Sequence, residues 1–335
     1  MNEIIKYCPS LLLEGYDTYS SKAIKLLFDG MEVSHTLGFN IDEFRSNSDI
    51  IDAMHRISVS GVQEKFPAVV EQGRIRLSHS EERSTYILKP APWDHTLIAR
   101  KQIPANEHLT MQIAAQVYGI LIAANGLCFT NDGQAVYITK RFDISADGTK
   151  LPMEDFAVVV GRNEQTDGIH FKYSGSYEDI ATALRKNVSA WMVDMERFFE
   201  LVVFNYIYAN GDDHLKNFSL IRQGQDYRLA PAYDLLNTSL HVNSDDFALD
   251  GGLSNNVEKS DVYDRTGHPC RIDFERFGNR IGLVKSRIKR VLDKYMQLPD
   301  TTIHLVEHSF LDDKMKRNYL RIVNERIARF KRQSE

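Results

Sequence analysis

An apolar run, Phe204-Asn-Tyr-Ile-Tyr-Ala209, stops at Asn210-Gly211 and hands over at once to Asp212-Asp-His-Leu-Lys-Asn217. A short apolar strand comes next, then a turn, then a second strand that delivers Asp234. Residues 204 to 237 therefore constrain the fold strongly, because a helix, a polar loop, a hairpin and a carboxylate must pack together in close succession. Asp212 and Asn217 stand five apart, with His214 and Lys216 between them. Phosphoryl transfer uses these parts: a carboxylate to receive the hydroxyl proton, an amide and a second carboxylate to hold Mg²⁺, and the D-x-x-x-x-N spacing of a kinase catalytic loop. A polar turn between a helix and a hairpin would use the same residue types. The rest of the chain must supply the missing parts.

At 335 residues the chain exceeds one average domain, so two lobes are expected. Its net charge of -5 argues against a protein whose main task is wrapping nucleic acid, which needs concentrated Lys and Arg. Cys8, Cys128 and Cys270 are far apart and show no metal-ligand spacing, which predicts core thiols in a reducing cytosol rather than a disulfide framework. The N-terminus has no signal-peptide pattern, and Gln112, Gln116 and Asn125 interrupt the most apolar stretch, 109 to 129. A cytoplasmic protein is expected.

The chain runs without repeats or low-complexity linkers. Residues 19 to 30 predict a short helix capped by Ser20 or Ser21 and stopped at Gly30, and 41 to 54 suggest another. Ile57 to Val70 read as strand, Ser/Gly turn, strand, with a further turn at Gly73. A hairpin with a small-residue turn presents backbone N–H groups suited to phosphate. Ser84 to Lys89 form a strand ending in a lysine, placed to reach nucleotide phosphates or simply solvated. Asn106 to Gly119 predict a helix with Asn106 as N-cap and Leu109, Ile113, Ala114 and Val117 on one face. Glu107, in its first turn, either complements the helix dipole or is the acidic partner of Lys89. Strands at 120 to 124 and 135 to 139 lead into Lys140-Arg141-Phe142-Asp143, where a linker between two lobes would meet adenine. From there helices are expected over 176 to 187, 189 to 208, 275 to 297 and 309 to 332, with a polar glycine-bearing loop at 241 to 272. The order of these elements is that of an α+β, two-lobed protein-kinase-like fold: a β-rich N-terminal lobe over residues 1–143 and a mainly helical lobe over 144–335.

Ile57-Ser-Val-Ser-Gly-Val-Gln-Glu-Lys65, Tyr86-Ile-Leu-Lys89, Asn106-Glu107, Arg141-Phe-Asp143, Glu154-Asp155, Gly211-Asp-Asp-His-Leu-Lys-Asn217 and Ala232-Tyr-Asp234 together resemble the HipA-like serine/threonine kinases of bacterial toxin–antitoxin systems. The resemblance implies ATP and Mg²⁺ as cofactors and phosphorylation of a serine of an aminoacyl-tRNA synthetase, which blocks translation. Carried onto this sequence, it makes Asp212 the catalytic base, Asn217 and Asp234 the metal ligands, and Lys89 the phosphate-binding lysine. It places Gly61, Val62, Gln63, Arg141, Phe142, Asp143, His214 and Lys216 around the nucleotide and gives no role to Glu154 or Asp155. Because the loop motif begins near residue 57, the chain looks like the short HipT branch. That branch works with a HipB-like DNA-binding antitoxin and a small HipS-like protein, and its implied target is tryptophanyl-tRNA synthetase before the glutamyl enzyme.

The loop carries Ser58 and Ser60 where HipA has one serine followed by alanine. Autophosphorylation at these serines is implied, and a dianionic phosphate beside those of ATP would be repelled. Turn hydrogen bonding is the plainer role for both. Kinases acting on small molecules share the logic of the catalytic loop, and a non-catalytic ATP-binding subunit docking a DNA-binding antitoxin is the reading from a different class. Neither membrane association nor direct sequence-specific nucleic-acid binding is expected.

Overall fold

The computed structural model describes residues 5–40, 64–79, 81–145, 147–256 and 258–333. The first helix, α1 (Ser21–Phe28), forms where the cap chemistry places it. The Ser20 hydroxyl accepts from the Ala23 N–H, and the chain leaves the helix through Asp29 in the left-handed region. β1 (Phe66–Glu71) and β2 (Arg74–Leu77) make a tight hairpin over Gln72-Gly73. Both turn residues have positive φ (49° and 73°), the type I′ geometry that suits the right-handed strand twist. With β3 (Tyr86–Lys89), β4 (Asn125–Phe129) and β5 (Ala135–Lys140) they build an antiparallel sheet in the order β2-β1-β3-β5-β4. Lys89 pairs with Tyr137 as the last residue of β3, so the register itself delivers this lysine to the end of the sheet's central strand.

A strand over 120 to 124 is not formed. That segment makes a single bridge, Ile122 with Ala232, and the strand begins at Asn125, whose side chain is buried against Gln112. The predicted helix does form, as α2 (Ile103–Gln116), but it starts before Asn106. Asn106 is consequently an interior residue and not a cap. The polar side of α2 is also buried: His108 bonds the Ser10 carbonyl at 2.8 Å, and Thr110 the Tyr319 hydroxyl at 2.9 Å. Both partners come from elsewhere in the fold. An amphipathic pattern therefore did not imply a solvent-facing side.

The second half is mainly helical, with α3 (Tyr177–Asn187), α4 (Trp191–Ile207), α5 (Arg271–Arg280), α6 (Lys285–Asp293), α7 (Asp300–His308) and α8 (Asp313–Phe330). The single helix expected over 275 to 297 is two, broken at Ile281-Gly282, where Gly282 takes φ of 89°. Three strands, β6 (Met153–Asp155), β7 (Ser219–Gln223) and β8 (Asp226–Leu229), form a small antiparallel sheet. One apolar cluster joins α1 to the five-stranded sheet through Phe28, Phe66, Leu88 and Ile138. A larger one gathers the helices around Phe198, Phe204, Phe274 and Tyr319, and α2 belongs to it through Leu109 and Ile113. Cys8, Cys128 and Cys270 are buried core residues, as expected. Among the described residues no helix is long and apolar enough to cross a membrane.

Candidate active site

Lys89 emerges from β3 onto the first face of α2 and meets Glu107 at 2.6 Å, with side-chain exposures of 3% and 1%. Glu107 thus lies inside the fold, paired with the lysine, where compensating a helix dipole against solvent is not its role. Lys89 also bonds Asp234, which in turn takes Lys65 at 3.2 Å on its other oxygen. Burial works against the Lys89 charge, but Asp234 and Glu107 outweigh it and hold its pKa above the ordinary lysine value. Burial likewise works against the Asp234 carboxylate, yet Lys65 and Lys89 pull it well below the usual range. Burial raises the Glu107 carboxyl, with Lys89 opposing.

Asp234 adopts a left-handed backbone, φ 57°, which a short polar side chain tolerates. The segment after it is tied to α2 by Asn106, whose amide donates to the Asn237 carbonyl at 2.9 Å and accepts from the Asn237 N–H at 3.2 Å. One helix therefore presents Glu107 and anchors the chain that carries Asp234. At the other end, α4 runs out at Ile207, and Thr238 fixes the chain between it and the polar loop. The Thr238 hydroxyl donates to the Ala209 carbonyl at 3.0 Å and accepts from the Gly211 N–H at 2.9 Å.

The loop is tightly wound. The His214 N–H donates to the Asp212 carbonyl at 2.9 Å, and the Asn217 N–H to the His214 carbonyl at 2.8 Å. The Asn217 side-chain amide donates to the Asp212 carbonyl at 2.9 Å, which leaves its oxygen for another partner. The Asp212 carboxylate accepts from the Tyr173 hydroxyl at 2.8 Å. Burial pushes His214 down to about 4, so it is neutral near pH 7, and its buried Nδ1 has no partner among the described residues. Lys216 lies 4.0 Å from Asp155, whose other oxygen caps the short helix after β6 through the Val158 N–H. Glu154 beside it is exposed.

These groups line one cleft of about 1120 Å³, whose apolar lining includes Ile87, Ala123, Phe142 and Tyr233. The two rings lie 5.8 Å apart. Arg141 grips Asp143 with two nitrogens, at 3.0 and 2.7 Å, and reaches the Ser84 hydroxyl at 3.0 Å, so Asp143 is engaged within the protein. Gly61, Val62, Gln63, Ser58 and Ser60 lie outside the described residues, as does the helix expected over 41 to 54.

A nucleotide-bound Mg²⁺ fits this donor set. Such an ion typically takes one or two carboxylates plus phosphate oxygens and water. Here the Asn217 oxygen, without a partner among the described residues, and the strongly ionised Asp234 are both on the cleft. Among the described residues no three of His, Cys, Asp or Glu converge on one point, so a closed all-protein metal cage has no counterpart.

The sequence model of the HipA-like C-terminal domain matches residues 57–302. The chain belongs to the HipA-like family. A relative named "Putative kinase" in Haemophilus influenzae is 26% identical over 94% of this chain and 93% of its own length. One of the same description in Sinorhizobium fredii, Y4mE, is 31% identical over 55% of this chain, which spans 43% of that relative. The Shewanella oneidensis HipA toxin, solved with HipB and operator DNA, superposes with a TM-score of 0.61 at 18% identity, over 82% of this chain and 65% of that one. That likeness establishes a HipA-like, kinase-type α+β fold.

Several cleft residues carry no sequence signal of their own. Lys65 closes the 57–65 motif without an assigned role, while Lys172, Tyr173 and Thr238 sit in stretches with no spacing that points to chemistry. Asp213, adjacent to Asp212, is not solvent-facing. It is 3% exposed and accepts from the Tyr177 hydroxyl at 2.5 Å and the Asn205 amide at 3.0 Å. Burial raises it to about 8. The unfolded chain loses this proton from about pH 4 while the fold keeps it to about 8, so stability falls with rising pH across that window. Asp213→Asn keeps the acceptor for Tyr177 and is expected to flatten that decline. Denaturant unfolding of both proteins at about pH 5, 6.5 and 8 checks it, and parallel curves would rule it out.

Proposed function

We propose that this HipA-like chain is an ATP- and Mg²⁺-dependent toxin kinase that phosphorylates a serine of an aminoacyl-tRNA synthetase, tryptophanyl first and glutamyl second. The convergence of Asp212, Asn217, Asp234, Lys89 and Glu107 in one cleft supports the reading. Asp212 accepts the serine proton. Lys89, charged and braced by Glu107, neutralises nucleotide phosphates. Asn217 and Asp234 hold the metal, which when bound offsets the charge of the transferring phosphoryl group. Lys216 and neutral His214 face the phosphates, and the Phe142 and Tyr233 rings, with Arg141-bridged Asp143, form the base and ribose side. Residues 143 and 144 mark the division between the lobes. The partner is a HipB-like antitoxin, through which DNA is reached, together with a HipS-like small protein. Ser58 and Ser60 are autophosphorylation sites.

The test is transfer of labelled γ-phosphate from ATP with Mg²⁺ to purified synthetases, with site mapping of the chain itself. Label on the tryptophanyl enzyme, and phosphate on Ser58 or Ser60, are expected. Transfer to no synthetase, with label passing instead to a small hydroxyl compound, would replace this reading.

A further inference from the structure

Asp212 and Asp213 are each held by a tyrosine from one short stretch of chain. The Tyr173 hydroxyl donates to an Asp212 carboxylate oxygen at 2.8 Å, and the Tyr177 hydroxyl to an Asp213 carboxylate oxygen at 2.5 Å. Between the two tyrosines lies Gly175 at φ 115°, a conformation in which any side chain is strained. The outer edge of this stretch is strapped to residues 250–253 by four backbone bonds. The Asp250 and Gly251 N–H groups donate to the Tyr173 and Gly175 carbonyls at 3.0 and 2.8 Å. The Tyr177 and Glu178 N–H groups donate to Gly252 and Leu253 at 3.0 and 3.1 Å. Asp213 is the buried bolt of this assembly, and Asp212 is the end that reaches the cleft.

We propose that Tyr173 is a positioning residue for Asp212. Its hydroxyl commits one carboxylate oxygen, fixes the side-chain rotamer, and leaves the second oxygen to receive the substrate proton. This inference rests on Asp212 being the proton acceptor. Burial first, and then the Asp212 charge, raise the Tyr173 pKa, so the phenol remains a donor at neutral pH. An unaimed base is costly, since misplacement by about 1 Å can lower a rate on the order of 10²-fold.

Tyr173→Phe removes the hydroxyl and keeps the ring, so the T-shaped contact with His214 at 5.3 Å survives. The assay is incorporation of γ-phosphate into the full chain over a series of MgATP concentrations, with ADP release measured alongside. A merely structural tyrosine would leave the maximal rate unmoved or lower it together with ATP binding. The expected result is a fall in the maximal rate of about 10- to 100-fold. The half-saturating ATP concentration should stay within about 2-fold, so that the loss falls on the chemical step and not on nucleotide binding. An unchanged rate would overturn the proposal, as would a loss confined to ATP binding, or a faster variant, which would make Tyr173 a plug. Phosphate mapped onto Tyr173 itself would also overturn it. Asp212→Asn in the same assay separates the two readings. If it is inactive while Tyr173→Phe is fully active, only this inference fails. If it is as active as the wild type, or if the wild type turns over no ATP, both fail.

Discussion

Replacing Asp212 with asparagine is expected to lower phosphoryl transfer by about 10²- to 10⁴-fold, the range typical of losing a positioned general base. Nucleotide affinity should change by less than about 2-fold, because the charges proposed to face ATP are on Lys89, Lys216 and the proposed metal ligands. The substitution is nearly isosteric. The new side-chain amide would still offer an oxygen to the Tyr173 hydroxyl, and the backbone carbonyl at that position would still take the His214 and Asn217 donors. The fold should therefore be retained, and a loss of rate can be assigned to proton transfer. Single-turnover transfer and equilibrium binding of a fluorescent ATP analogue measure the two quantities separately. A variant that transfers at the wild-type rate would remove Asp212 from the chemistry. One that binds nucleotide about tenfold more weakly would make it part of the binding site.

The candidate site was legible in the sequence to the extent that its parts sit on local patterns. Asp212 and Asn217 are separated by the span of a single wound loop, Asp234 closes a hairpin, and Lys89 ends a strand. Spacing alone places each of these. Glu107 was half legible, because sequence locates it near a helix start but cannot say which way that turn faces. Its burial comes from Asn106, which holds the helix against the segment after Asp234, a contact between residues 131 positions apart. Tyr173 and Asp213 were illegible for the same reason. Their roles arise from a strap between residues 173–178 and 250–253, and no periodicity or motif announces such a pairing. The break between α5 and α6 was missed because apolar periodicity continues across Ile281-Gly282, while the backbone turns there. Local placement was readable; long-range polar pairing was not.

Replacing Lys89 with methionine is expected to destabilise the fold as well as abolish function. Removing one partner of a buried ion pair leaves the other uncompensated, at a cost of about 3–5 kcal/mol. Glu107, 1% exposed and already raised by burial, would lose its lysine partner, and among the described residues Asp234 would keep only Lys65. A melting temperature lower by on the order of 5–10 °C should follow. The deficit carries a pH signature. The stranded Glu107 has a folded-state pKa above its unfolded value, so the fold is least penalised where the carboxyl is protonated in both states. The gap from wild type should narrow below about pH 5 and widen towards neutrality. Lys89→Met with Glu107→Leu removes the orphaned charge and should recover most of the stability, while transfer from ATP should stay lost because the ammonium proposed to bind phosphate is gone. Thermal melts of the wild type, both single variants and the double variant form the cycle. If Lys89→Met melts with the wild type at neutral pH, the buried Lys89–Glu107 pair does not brace the fold as described. If the double variant transfers phosphate normally, Lys89 has no part in binding it.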